Sequence, residues 1–287
     1  MPGFDLHFHS TYSDGELSIA ELAKIIKDKK FKYCALADHN TVAGVAGLIV
    51  ELSNTGIKVI PAAELTAKYN DNEVHILAYD FDIKSVAEIL KIRNEIVREK
   101  KIAEMSAAVE LSIKEGFKIS DNLEPEEKLP ATLLIAVNIC ENLENQKIFK
   151  AKHGKYFKPE DFYYEYQAPG KACAVERSGV TVQWLVQNLK PMVKDLVIAH
   201  PFVSVSVVTK PLSKPDIIDL LNIGLTGVEL YHNKTSSEQI DLLKEIIRER
   251  SIHFTGGSDF HGHENDTPIG QYGPNEIIPN IHLLNFK

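Results

Sequence analysis

Hydrophobic residues gather in seven short runs, at 4–9, 33–37, 58–62, 74–79, 196–200, 227–231 and 253–257. Most are continuously apolar rather than alternating, the pattern of strands covered on both faces, as in a parallel sheet. Amphipathic stretches with legible starts lie between most of them. Ser18 with Glu21, and Ser236 with Gln239, have the spacing of capping boxes and predict helices running to about residues 29 and 250. Strand alternating with helix predicts an α/β architecture, and about seven such units favour a closed or nearly closed barrel.

The alternation breaks in the middle. Residues 85–116 read as one long helix, opened by Ser85 with Glu88 and stopped by Gly116. A second apolar helix is expected over 131–145, followed by an aromatic, polar segment at 156–166, and strand-like patterning resumes near Cys173. The chain therefore divides into a first barrel part (1–82), a helical insertion (83–173) and a second barrel part (174–287).

Composition adds limits. The 287 residues are 44% hydrophobic and 25% charged, ample for a buried core. No apolar run approaches the roughly 18 residues that span a bilayer. The first strand-like run is preceded by neither a basic n-region nor an apolar h-region, so no secretory signal is expected. Cys34, Cys140 and Cys173 lack C-x-x-C spacing and sit in apolar surroundings, predicting buried free thiols and a cytoplasmic location. The formal charge of −8 argues against a general polyanion-binding surface or a membrane-surface role. An anionic substrate would need positive charge concentrated locally.

Candidate chemistry lies at the strand ends. His7 and His9 are two apart on a strand, so both imidazoles face one side and can reach one ion, although an H-x-H pair alone is a weak signal. Asp14 follows in the next loop. His39 ends the second strand, Glu64 the third, and His75 opens the fourth; His200 ends the fifth, and the last runs into Asp259 and His261. Nearly every predicted strand thus carries a His, Asp or Glu at one end, and barrel strands deliver their C-terminal ends to a single face. Asp5 and Asp38 adjoin this set and are candidates either to orient imidazoles or for simple salt links and caps. His232 directly follows the 227–231 strand, where chemistry and packing are both open to it. His153, His253, His263 and His282 have no such placement and are expected to be incidental.

DLHFHS at 5–10, ADHN at 37–40, PAAE at 61–64, His75, AHP at 199–201, GVELYH at 227–232 and GGSDFHG at 256–262 occur in order. In this the chain resembles the polymerase and histidinol phosphatase (PHP) superfamily over about two thirds of its length. It is most similar there to small stand-alone bacterial metal-dependent phosphoesterases, some of which remove the 3′-phosphate of nucleoside 3′,5′-bisphosphates or trim short RNA from its 5′ end. The resemblance implies a distorted seven-stranded (β/α) barrel with two to three divalent ions of Mn, Zn or Fe. His7, His9, Glu64 and Asp259 would hold one ion, a bridging Glu64 with His75 and His200 a second, and Asp14, His39 and His261 a third. His232 corresponds to a histidine near the phosphate in such enzymes, which makes it and Asp259 catalytic candidates.

The expected reaction is hydrolysis of a phosphoester by a metal-activated water. The first expectation is a phosphomonoesterase on a small phosphorylated metabolite, for which a nucleoside bisphosphate is one candidate. The alternatives are a phosphodiesterase on a cyclic sugar phosphate or short oligonucleotide, and a metal-stabilised binding module without turnover. No membrane or protein partner is implied. Lys171 and Arg177, with Arg93, Arg98 and Lys155, are candidates to hold a second phosphate or are solvated surface charges. The insertion reads LPATLL at 129–134, where nucleotide-specific relatives carry an Arg-Thr-His-like stretch.

Overall fold

Serine caps open the helices where the sequence places them. Ser18 accepts from the Glu21 N–H and opens α1 (Ile19–Asp28), which buries Leu22, Ala23 and Ile26. The next elements are α2 (Val45–Leu52), α3 (Ile83–Lys114), α4 (Ala131–Glu141), α5 (Leu143–His153), α6 (Pro159–Phe162), α7 (Val182–Leu189), α8 (Lys214–Ile223) and α9 (Ser237–Arg250). Ser236 and Gln239 form the box at the head of α9. The computed structural model describes residues 3–120, 123–125, 130–204 and 209–272. Among the described residues no helix is long and apolar enough to cross a membrane. The three cysteines are free and buried.

The fold is mixed α/β. Strands β1 (Phe4–Phe8), β2 (Tyr33–Leu36) and β3 (Lys58–Val59) form one parallel sheet. β4 (Ala62–Tyr69), β5 (Asn72–Phe81), β6 (Val193–Ile198), β7 (Gly227–His232) and β8 (His253–Gly257) form a second, in that order. Isolated bridges run between the sheets at Phe8 with Phe260 and at His39 with Glu64.

Two expectations change. The run at 58–62 is two strands, because Pro61 has no N–H to give a ladder and separates β3 from β4. The sheets are also not parallel throughout. Asn70 and Asp71 make a two-residue turn, with Asn70 left-handed at φ 51°, and fold β5 back antiparallel to β4; β5 is antiparallel to β6 as well. Glu64 therefore lies within a strand rather than at its end. The reversal sets His75, early in β5, beside the C-terminal end of β6, where the Ala199 N–H donates to the His75 carbonyl at 3.0 Å.

Two helix boundaries also move. Asp82, not Ser85, caps α3: its Oδ1 accepts the Ser85 N–H at 2.9 Å and the Ser85 hydroxyl at 2.7 Å. The helix expected over 131–145 breaks at Asn142, whose Oδ1 takes the N–H groups of Glu144 and Asn145 to start α5.

The chain separates into two compact units, 1–92 with 180–287, and 93–179. In the first, Phe4, Leu6, Ile60, Leu77, Tyr79, Val197 and Tyr272 pack in one buried cluster between strands. Each large side chain of this kind contributes about 1.5–3 kcal/mol on burial. Its two tyrosines also fix β1, since Tyr79 Oη donates to the Leu6 carbonyl at 2.8 Å and Tyr272 Oη to that of Phe4 at 2.9 Å. The second unit has its own aromatic core of Phe117, Phe149, Phe157, Phe162 and Tyr166. Within that unit the outgoing chain is bonded to α3: Glu104 Oε2 accepts the Ser178 N–H at 2.6 Å, and Lys100 Nζ donates to the Gly179 carbonyl at 3.1 Å.

Candidate metal centre

β1 is buried along its whole length, yet it carries His7, and His9 follows directly past its end, also buried. Alternation points both imidazoles to the same face, and their ring centroids lie 5.3 Å apart. The segment following β8 exchanges backbone bonds with the end of β1 and the residue after it (His9 N–H to the Phe260 carbonyl at 2.9 Å, Asp259 N–H to that of His7 at 2.8 Å), which brings Asp259 beside both rings. The approach requires Gly257, because a Cβ there would collide with the Cβ of His7. A Cβ on Gly15 would likewise meet the backbone of His9 at 2.7 Å, which lets the loop bearing Asp14 fold closely over that strand.

Glu64 is the hub. It is fully buried, and Oε2 lies 3.2 Å from His7 Nε2, 3.3 Å from His9 Nε2 and 3.2 Å from His39 Nδ1. Oε1 lies 2.9 Å from His75 Nδ1 and 2.8 Å from His200 Nε2. The hairpin register explains one pair: Glu64 is opposite Leu77 and His75 opposite Thr66, so Glu64 and His75 are diagonal neighbours on one face. Asp259 Oδ1 is 3.4 Å from His7 Nε2 and 3.2 Å from His9 Nε2. Asp14 stands on the exposed side, 3.5 Å from His39 Nε2 and 3.5 Å from His261 Nε2.

Three groups have the spacing of metal ligands: His9, Asp14, His39 and His261; His7, His9, Glu64 and Asp259; and His39, Glu64 and His75. The fold thus brings together all nine residues singled out in the sequence. His200 shares Glu64 Oε1 with His75, while His39 completes the spacing around that pair. The donors fit a cation better than they fit one another. His7 Nε2, both nitrogens of His9, His39 Nδ1 and Glu64 Oε2 are buried without a hydrogen bond, although several approach at ion-pair distance. Buried polar atoms rarely go unmatched, and lone pairs converging in this way are accounted for by a shared positive charge. Strain gathers here too: His200 and Asp259 hold left-handed backbones at φ 24° and 52°, as at many functional sites.

Electrostatics follow from that crowding. Burial opposes ionisation of Glu64, but the imidazoles of His39, His7 and His75 hold its carboxyl well below the usual range. Burial likewise opposes charge on His9, yet Asp259 and Glu64 push it up to about 9, whereas burial dominates at His39 and drives it down to about 3. Without a cation, His9 carries a proton at pH 7. Ligation needs the neutral ring, so metal uptake at pH 7 is expected to release protons and to tighten as pH rises toward 9. Calorimetric titration in buffers of different ionisation enthalpy measures this, and loading without proton release would contradict it.

Other sequence candidates have different roles. Asp5 and Asp38 orient backbone rather than imidazoles. Asp5 takes the N–H groups of His7 (3.1 Å), Ser258 (3.1 Å) and Gly270 (2.6 Å), and burial pushes its pKa up to about 6. Asp38 holds the Asp14 loop through the Ser10 N–H and the hydroxyls of Ser10 and Ser13. His232 is buried, with Nε2 at 3.4 Å from Asp259 Oδ2. Its Nδ1 accepts the Lys234 N–H at 3.1 Å, which leaves the ring proton on Nε2, facing the cluster. Lys171, exposed, and Arg177, half-buried, belong to the second unit, whereas the cluster is built wholly from the first. His153 bonds Tyr166, His253 bonds Asp195 and His263 bonds Glu16, while His282 and Leu129 lie outside the described residues.

One residue was missed from sequence. Glu229 is fully buried in β7, with Oε1 at 2.9 Å from His7 Nδ1 and Oε2 accepting the His200 N–H at 2.8 Å. Its signal was there to be read: a glutamate flanked by Val228 and Leu230 in a covered strand must have a buried partner.

The profile of the PHP domain matches residues 5–170. The chain is 24% identical over 265 residues to a 5′-3′ exoribonuclease of Haemophilus influenzae, covering 90% of this chain and 89% of that protein. It is also 24% identical over 285 residues to a 3′,5′-nucleoside bisphosphate phosphatase of Chromobacterium violaceum, covering 93% of each. A solved structure of a proposed metal-dependent phosphoesterase from Bifidobacterium adolescentis has the same fold, with a TM-score of 0.63 at 22% identity over 94% of this chain and 91% of that one.

Proposed function

This chain belongs to the PHP domain family and is a metal-dependent phosphoesterase, and from that premise we propose that it hydrolyses monoesters of small phosphorylated metabolites, nucleoside bisphosphates among them. His7, His9, Glu64 and Asp259 would hold one divalent ion, Glu64 with His75 and His200 a second, and Asp14, His39 and His261 a third. Mixed nitrogen and oxygen donors suit Mn, Zn or Fe. Such ions supply Lewis-acid charge neutralisation and a water activated near neutral pH.

Charge carries the choice of a monoester. Asp14, Glu64, Asp259 and Glu229 bring four carboxylates to the cluster. Three divalent ions would leave a surplus of about two positive charges, or about one once the activated water has lost its proton, and a monoester dianion is drawn to either more strongly than a singly charged diester. A local surplus of this kind also reconciles an anionic substrate with a chain of net charge −8.

The chain's own groups do the rest. Asp5 and Asp38 fix the loops that carry the donors, so the donor positions are set before substrate arrives. His232 presents Nε2–H beside Asp259 and donates a hydrogen bond to a phosphoryl oxygen. Nδ1 is taken up by the Lys234 N–H, so Nε2–H is the donor the ring offers to the cluster. The bridges of Phe8 with Phe260 and His39 with Glu64 support the finer architecture, a distorted seven-stranded barrel closed around this face.

A diesterase acting on short oligonucleotides is the second reading, favoured by the exoribonuclease relative. Release of p-nitrophenolate from p-nitrophenyl phosphate and from its bis ester, with Mn²⁺ supplied, separates the two. The monoester is expected to turn over at least about tenfold faster, a difference of about 1.4 kcal/mol in the barrier. Faster turnover of the bis ester would reverse the order of the readings. A screen of phosphorylated metabolites with metal-loaded protein then narrows the leaving group.

A further inference from the structure

Glu229 has no place in any of the ligand sets, yet it touches two of them. It is fully buried in β7 between Val228 and Leu230, and among the described residues its ion-pair partner is His7. A carboxylate in such surroundings is costly unless its oxygens are matched. Both are: Oε1 meets His7 Nδ1 at 2.9 Å, and Oε2 accepts the His200 N–H at 2.8 Å.

These two bonds act on different parts of the cluster. A donor bond from Nδ1 fixes the His7 tautomer, leaving the Nε2 lone pair free, and that is the nitrogen without a hydrogen bond between Glu64 and Asp259. At His200 the bond holds the peptide where the backbone leaves β6 at φ 24°, and so aims Nε2 at Glu64 Oε1, 2.8 Å away. The stacked rings of His7 and His200, with centroids 5.8 Å apart, are therefore aligned from behind by one side chain.

We propose that Glu229 is a positioning residue that couples two metal sub-sites, setting the His7 tautomer with one oxygen and the His200 backbone with the other. This rests on the reading of the cluster as a metal centre. Glu229 touches neither substrate nor the reacting atoms. It makes the His7 and His200 sub-sites respond together, while the sub-site of Asp14, His39 and His261 stands apart from it.

Glu229→Gln tests the idea with little change of volume. The amide keeps one acceptor and turns an NH₂ toward the other donor. Facing His7, that NH₂ draws the ring to the Nε2–H tautomer and blocks the inward nitrogen; facing His200, it opposes the backbone N–H. In competition titrations of Zn²⁺ against a chelator, the variant is expected to lose roughly 10- to 100-fold in affinity. Elemental analysis is expected to find about one ion per chain retained, the number that the sub-site of Asp14, His39 and His261 would hold. A merely structural role would lower thermal stability without that selectivity.

Affinity within about twofold of wild type would overturn the positioning role alone, against the tenfold or greater loss expected for a partner of a ligand. A wild-type protein that takes up no Zn²⁺ would instead overturn the metal centre, and the role of Glu229 with it. Nitrogen-15 NMR of the imidazoles in the Zn²⁺-loaded wild-type protein decides the matter even where Glu229→Gln does not fold: His7 is expected as the Nδ1–H tautomer, and the Nε2–H form would refute the inference.

Discussion

Substituting alanine for Glu64 is expected to strip metal from the two sub-sites it joins and to abolish phosphoesterase activity in a single step. Its two oxygens lie within 3.3 Å of five imidazoles, those of His7, His9, His39, His75 and His200. Those rings come from four different strands or strand ends, so their common anion is what makes them one site. Losing an outer hydrogen-bond partner of a metal ligand typically costs about 10- to 100-fold in affinity. Loss of the shared ligand is expected to exceed that range at every sub-site it joins. The metal-free protein should suffer as well, because removing one member of a buried ionic group destabilises by roughly 3–5 kcal/mol. Elemental analysis beside phosphate-release assays is the check. A Glu64→Ala protein that keeps its full complement of metal would remove Glu64 from the centre.

Turnover should fall by about 10²–10³-fold in His232→Asn, the cost of removing one fixed donor to a developing oxyanion. Asparagine is chosen because its Oδ1 can still accept the Lys234 N–H, now 3.1 Å from His232 Nδ1, so the turn is kept. It is too short to reach the position of Nε2, 3.4 Å from Asp259. Metal content should not change, which distinguishes this loss from that of Glu64→Ala. The pattern across leaving groups carries further information. A donor to a phosphoryl oxygen predicts a similar loss for good and poor leaving groups. A loss confined to poor ones would make His232 a general acid instead, and His232→Gln, whose amide can donate but not protonate, would then recover nothing.

Much of this centre was legible because metal ligation constrains side-chain direction. Two imidazoles on one strand must alternate to the same face, and ligands drawn from many strands must lie where those strands end together; His7, His9, His39, His200, Asp259 and His261 follow that logic. Glu64 and His75 are legible by position, but the geometry between them is not. Thr66 and Lys68 interrupt the apolar pattern of β4, so the hairpin and its turn at Asn70 and Asp71 were not seen, and with them the antiparallel direction of β5. Asp5 and Asp38 show a different limit. Sequence places a carboxylate beside a ligand without revealing whether it meets an imidazole or a peptide N–H, and both meet the latter. Glu229 was hidden by its neighbours, since an apolar run invites attention to its ends and not to the one charge within it.

The bonds that tie the outgoing end of the second unit to α3 have a consequence for how the chain finds its fold. Asp5 bonds Ser258 across 253 positions of sequence, so the two halves of the centre must meet after everything between them has been accommodated. An unstructured connection would charge that meeting with the entropy of a long loop, rising by about 0.6 kcal/mol for each doubling of its length. With Ser178 and Gly179 held by Glu104 and Lys100, the 93–179 unit ties its outgoing end to the helix by which the chain enters it. Once that unit has formed, the search that unites the halves is one over a short tether, and the distant contacts that ordinarily slow folding are reached from nearby.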